Sequence, residues 1–306
     1  MNVYNKINTL YKRYVIDKDM SDTIPNKDWL KFNHKIIIGD FSNQTFDYIK
    51  NLPMEAFEKI DGTNSKIAFY PSTGEYKVCG KTDKAESQSG QFEYLSNIAE
   101  KILPKLKEIF PKECAKFKPI KDDTNNFIFY DKVIDDNLKF NGWQNIENDK
   151  LTNGIYGIKV EEDPIYIYGE YYGKGIHKVG KKYLHGNDFI VFDIQQQGWW
   201  LSTDLRNELC NKLGLNQVPY LGEMSLLEAE KIVQEGFKTH LKAVDSNLLS
   251  EGIVLRSSHG LKDSSNNRLM VKIKHVDYEE YNRVRKQFSN DEFEKFNNWY
   301  FSHKIK

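Results

Sequence analysis

Nine short runs of β-branched, aromatic and other apolar residues recur along this chain: Ile36–Ile38, Lys66–Tyr70, Tyr76–Cys79, Phe127–Ile134, Ile155–Val160, Ile165–Tyr168, Phe189–Ile194, Gly252–Leu255 and Leu269–Ile273. Each is short enough, and rich enough in strand-forming residues, to read as a β-strand. A parallel doubly wound sheet needs a helical crossover between successive strands. Helical patterns here do not alternate with the strands at regular intervals, so the sequence predicts an α+β fold built on antiparallel sheets. Pro71-Ser72-Thr73-Gly74, between two of the runs, has the composition of a hairpin turn.

Three segments carry a helical period instead. From Glu86 to Phe110, apolar residues Phe92, Leu95, Ile98, Ile102, Leu106 and Ile109 recur at steps of three or four, with Pro104 a kink. Ser225 opens a second helix, with Glu228 three residues on as a capping box. The third runs from Asp277 to about His303, with Tyr281, Val284, Phe288, Phe293 and Phe296 as its apolar stripe. The polar stretches Lys118–Asn126 and Asn141–Asn153 read as loops.

Lys+Arg and Asp+Glu number 44 each, so no global charge marks a purely electrostatic binder of polyanions. A site-directed enzyme acting on nucleic acid stays open, because basic residues can gather on one face. Cys79, Cys114 and Cys210 stand far apart with no CxxC pair, which predicts neither a disulfide framework nor a zinc site. Met1–Asp17 lacks the apolar core of a signal peptide, and no run approaches the ~20 apolar residues of a spanning helix. The expectation is an intracellular, cytoplasmic protein with no membrane association.

The residues that carry chemistry begin at Glu58-Lys59-Ile60-Asp61-Gly62-Thr63-Asn64. A lysine stands just before a turn-forming Asp-Gly-Thr, and a strand follows. Glycine lets the backbone come close to a ligand, and Thr63 and Asn64 offer donors to a phosphate. An uncharged lysine amine there can attack phosphorus. Free lysine has a pKa of about 10.4, so such a site is expected to depress it by desolvation or neighbouring cations.

Four further elements follow in order. Tyr168-Gly169-Glu170 ends a strand and continues as Tyr171-Tyr172-Gly173-Lys174-Gly175. Asp188-Phe189-Ile190-Val191-Phe192-Asp193-Ile194 is an apolar strand with an aromatic near its end. Glu251-Gly252-Ile253-Val254-Leu255-Arg256 sets an acid at a strand start, and Val271-Lys272-Ile273-Lys274 puts two lysines on one strand face. By contrast, the stretch Gly74 to Thr82 imitates a phosphate-binding loop but has five intervening residues where that loop has four.

In this order the five motifs resemble the signature of the covalent nucleotidyltransferases: DNA ligases, RNA ligases and mRNA capping enzymes. The chain most resembles the nick-sealing RNA ligases of phages and kinetoplastid editing, from about Glu58 to Lys274. The resemblance implies an antiparallel-sheet, ATP-grasp-like adenylyltransferase domain over residues 1–275, with an insertion around 111–165 and a short helical extension over 276–306. It implies an ATP-dependent ligase, with RNA ahead of DNA, that joins 3′-hydroxyl and 5′-phosphate ends. ATP and Mg²⁺ are the implied cofactors, with Mn²⁺ able to substitute, and no obligate protein partner is implied.

The same resemblance assigns roles. Lys59 attacks the α-phosphate and carries AMP, Glu170 engages the ribose, and Phe192 stacks on adenine. Glu251 contacts the metal or its water shell, and Lys272 and Lys274 neutralise phosphate charge. Glu58, Ile60, Asp61, Gly62 and Asn64 fall in the nucleotide-binding motif; Lys81, Thr63, Lys174, Lys178 and Arg256 are implied at the nucleic acid. The basic run Lys174, Lys178, Lys181, Lys182 and the trio Arg283, Arg285, Lys286 are additional candidate patches for a phosphodiester backbone. Histidine is common in that branch where this chain has Asp61, and Thr82 stands where relatives carry an arginine. Only 32 residues follow Lys274, which argues against a C-terminal oligonucleotide-binding barrel and so against a capping guanylyltransferase. A DNA or hybrid nick ligase on the same core, and a binding module without turnover, are the remaining alternatives.

Overall fold

The computed structural model describes residues 4–71, 73–80, 93–110, 116–121, 127–133, 140–144, 155–158, 164–196, 198–258, 260–263 and 266–304. Helices and mostly antiparallel sheets make the fold α+β. The chain forms two compact units, one of residues 1–64, 170–192 and 216–306, the other of 65–169 and 193–215.

The first unit is organised on a five-stranded sheet in the order Asn8–Thr9, Met270–Lys274, Gly252–Arg256, Met54–Lys59, Tyr220–Met224. Asn8–Thr9 runs parallel to its neighbour and the other pairings are antiparallel. Residue alternation turns one face of Met270–Lys274 inward: Val271 and Ile273 are buried, and Met270, Lys272 and Lys274 are half-buried. Leu226, Ala229 and Val233 from helix Leu226–Glu235 pack in the same core as Phe46, Ile49, Ile253 and Leu255. That helix begins with both hydrogen bonds of the expected capping box, between Ser225 and Glu228, worth about 1 kcal/mol.

A second core in this unit is rich in aromatic residues, with Ile16, Met20, Ile37 and Val284 packed among them. Phe32 stacks on Phe296 at 4.3 Å between centroids, and Tyr14 meets Phe296 and Tyr300 edge-on. Residues 275–304 thus belong to the first unit, where they pack against the N-terminal segment.

The second unit holds the hairpin formed by Thr63–Tyr70, from Ser65 on, with Glu75–Gly80, and the packed helices Glu93–Ile109 and Thr203–Leu213. It also holds a four-stranded sheet in the order Phe127–Val133, Lys116–Lys121, Ile155–Ile158, Phe140–Gln144.

Several expectations are corrected here. The helix foreseen from Asp277 to His303 is two, His275–Arg285 and Asn290–Lys304. Ser289 and Glu292 cap the second reciprocally, which stops the first from running through. The stretches read as loops contain strands Lys116–Lys121 and Phe140–Gln144, whose backbones find partners in the insertion's own sheet. Strand Met54–Lys59 and helix Thr203–Leu213 had no place in the sequence reading. The latter has a low-contrast apolar pattern but is bounded by a Ser202 N-cap and Gly214 at φ 73°. The helix expected from Glu86 is described from Glu93 on.

Candidate active site

Lys59 is the last residue of strand Met54–Lys59, and register decides what it meets. Gly252 pairs with Lys59 on one side and with Lys274 on the other. Glu251, one residue earlier, therefore enters between two lysines. Its Oε2 lies 2.6 Å from Lys59 Nζ and its Oε1 2.5 Å from Lys274 Nζ. The Glu251 backbone is pinned as well, its carbonyl accepting from His275 N–H at 3.0 Å. Gly252 is required at this crossing: its φ is 151°, and a Cβ there would come within 2.0 Å of the Ile273 carbonyl oxygen.

The turn after Lys59 lies against the strand that carries Glu170. A Cβ on Gly62 would come within 2.5 Å of the Tyr171 carbonyl oxygen and 2.8 Å of Glu170 Cγ, so only glycine allows this approach. Burial pushes the Glu170 carboxyl up to about 7, with Lys59 opposing and Glu251 and Asp61 adding to the rise. The expectation that Lys59 is depressed does not hold. Burial lowers its pKa, but the carboxylates of Glu251, Glu170 and Asp61 outweigh burial and hold the proton above the ordinary lysine range. Lys272, two residues before Lys274 on the same face, behaves in the opposite way. Burial, then Lys274, Lys59, Lys6 and Arg13, bring it down to about 8.

Glu58 points to the other side of the strand and is 2 % exposed. One carboxylate oxygen accepts from His240 N–H at 2.8 Å, while Oε1 is buried with no hydrogen-bond partner. Ile60 and Phe57 pack with Tyr172, Tyr183, Ile190 and Val218, and Phe192 lies against this cluster, half-buried. The edge of an aromatic pair joins Phe192 to Tyr4, 5.1 Å between centroids. Tyr4, Lys6 and His177 escaped the sequence reading. His177 lies between Lys174 and Lys178 of the basic run noted in the sequence and could have been singled out there, whereas the pairing of the N-terminal segment gave no sequence signal for the other two.

Thr63 and Asn64 begin the strand after the turn and are half-buried, and Lys174 and Lys178 are exposed on the loop that follows Glu170. Arg256 is not brought to this cluster. It lies at the far end of its strand from Glu251, 7 % exposed, with its Nε 3.1 Å from Glu55 and its guanidinium over Phe57. Lys81 and Thr82 lie outside the described residues. Among the described residues no group of three or more His, Cys, Asp or Glu side chains is set to hold a metal, and no helix is long and apolar enough to cross a membrane.

No curated protein matches the sequence. Solved structures of Naegleria gruberi RNA ligase are similar: a nucleotide-free mutant at 16% identity covers 78% of this chain and 54% of its own, with a TM-score of 0.47. A mutant with ATP and Mn, at 14% identity, covers 79% and 55%, also at 0.47. Another with AMP and Mn, at 16% identity, covers 79% and 55% at 0.44. This chain thus spans about half the length of those proteins. The family model for RNA ligases matches residues 53–274, most of the sequence and all five ordered motifs, and on that match the chain belongs to the RNA ligase family.

Proposed function

We propose that this chain is an ATP-dependent polynucleotide ligase that seals RNA ends through AMP carried on Lys59. One observation carries the reading: a half-buried lysine amine held by Glu251, with Lys274 on the same carboxylate and Glu170 alongside. The Lys59 ammonium first gives its proton to solvent water. Its nitrogen then forms a bond to the α-phosphorus of ATP as the bond to pyrophosphate breaks, and AMP stays on the amine. The AMP passes to a 5′-phosphate end, and a 3′-hydroxyl displaces it to close the strand. Lys272 and Lys274 offset the negative charge that builds on the phosphates.

The residues present fit the nucleotide. The unsatisfied, buried Glu58 Oε1 suits an exocyclic amine donor, and the Phe192 ring suits a purine face. The metal site fits Mg²⁺ or Mn²⁺ held by one carboxylate, Glu251, together with phosphate oxygens and water. When bound, the ion would withdraw charge from the phosphates. We assign Glu170 to the hydroxyls of the ribose. The exposed Lys174 and Lys178, with Thr63, form the stretch of surface we assign to the nucleic-acid backbone. Arg256 is left out of it because its charge is already matched by Glu55.

RNA is preferred to DNA on family membership. Cys79 and Cys210 are both buried, and with three scattered cysteines in the sequence we place the protein in a reducing cytoplasm. The test is direct. Incubated with ATP and Mg²⁺, the wild-type protein gains the mass of AMP and K59A does not. A wild-type protein that never gains that mass, or gains GMP from GTP alone, sinks the proposal. Sealing of nicked RNA, nicked DNA, hybrids and single strands then ranks the substrates.

A further inference from the structure

Tyr4 precedes residues 53–274, the stretch that matches the family model, yet it is buried against a ring of that stretch. Its ring centroid lies 5.1 Å from that of Phe192, with the two planes 67° apart. Phe192 is half-buried on strand Asn187–Gln196, between the buried Val191 and Asp193. The strand fixes the Phe192 backbone, and the freedom left to the side chain is rotation of its ring. In an edge-on pair, a change in the tilt of one ring is opposed by the other.

The Tyr4 ring can oppose that rotation because it is itself tied down. Its hydroxyl donates to Met270 Sδ at 3.7 Å and accepts from Arg268 Nη2 at 3.4 Å, and the Arg268 guanidinium lies over the ring, 5.8 Å from its centroid. The next residue is clipped as well: Asn5 Nδ2 donates to Asn267 Oδ1 at 2.8 Å. Asn267 is held in turn by Asp263, whose Oδ1 accepts its backbone N–H at 2.9 Å. A few residues on, Asn8 and Thr9 pair in parallel with Val271 and Lys272. The segment thus runs from the lysine strand to the Phe192 ring, and all of these residues belong to the first unit.

We propose that Tyr4 is a positioning residue for the nucleotide base: its ring holds Phe192 at the tilt in which that ring stacks on the purine. The inference rests on the reading of Phe192 as the base-stacking ring, and it makes a segment outside the motifs set the affinity for the base. Its effect should fall on the base and spare the phosphates.

Equilibrium dialysis of the full chain with AMP, and with inorganic tripolyphosphate as a probe that has no base, separates the two. Y4A should bind AMP about fivefold more weakly, the scale of one aromatic pair, and tripolyphosphate as the wild type does. Y4F keeps the ring and should stay close to wild type. Y4L fills the space without a ring and should behave as Y4A. In the F192A background Y4A should add nothing. A Y4A protein that binds AMP as the wild type does, that loses tripolyphosphate in the same proportion, or that loses as much again in the F192A background overturns the inference. A wild type that binds AMP but never gains its mass from ATP overturns the ligase reading and leaves the AMP ratio to decide the present one. A wild type that binds no AMP overturns both.

Discussion

At the scale of single residues, the site is a balance of opposed charges, and its pH behaviour follows from it. Lys59 is held protonated, so AMP uptake should rise with pH across the neutral range, close to tenfold per unit while the ammonium form dominates. A flat profile between pH 6 and 8 in first-turnover kinetics would argue against a protonated resting amine. Glu170 gives a stability signature. Its carboxyl titrates near 7 in the folded chain against 4.5 as its ordinary value. Between those pH values the folded state binds a proton that the unfolded state does not, so stability is highest below pH 4.5 from this group and declines as pH rises through about 7. E170Q should remove that decline, as measured by urea midpoints at pH 5 and pH 7. At this scale the sequence was generous. That Lys59, Glu170, Glu251, Lys272 and Lys274 come together could be read from five ordered motifs through their resemblance to a ligase signature. What could not be read was the sign of the Lys59 shift, since that depends on which carboxylates come near it through space.

At the scale of elements, glycine and caps set the geometry. G62A puts a methyl within 2.5 Å of the Tyr171 carbonyl oxygen, so the lysine turn or the Glu170 strand must move. AMP uptake should drop about 10²-fold, the cost of an ångström-scale misplacement, with far-UV circular dichroism unchanged. S225A breaks the capping box of helix Leu226–Glu235 and should cost about 1 kcal/mol by denaturant titration, with little effect on AMP uptake once folded. That helix was legible because its cap and apolar period agree. Strand Met54–Lys59 was not, although Met54, Ala56 and Phe57 are buried. Its Glu55, Glu58 and Lys59 interrupt the apolar run, and those charges are tolerated because each finds a use in Arg256, His240 or Glu251. Charged residues matched in the folded chain spoil the pattern by which a strand is recognised.

At the scale of the whole chain, residues 275–304 are tied to the N-terminal segment through the aromatic core around Phe32, Phe296 and Tyr14. Phe296 is fully buried there. F296A should lower stability by about 3–5 kcal/mol by chemical denaturation, a loss out of proportion to its distance in sequence from every catalytic motif. The antiparallel α+β class was legible from the absence of regular helical crossovers. The division into two units was not, because each unit draws on segments scattered along the chain, and nothing local in a sequence announces which distant segment will be its neighbour.

Gly252 facing Lys59 on one flank and Lys274 on the other has an evolutionary corollary. Inserting or deleting one residue inside any of these three strands would send its side chains to the opposite face and separate Lys59, Glu251 and Lys274 in a single step. Lineages of this protein should therefore vary in loop length while keeping these strands free of gaps.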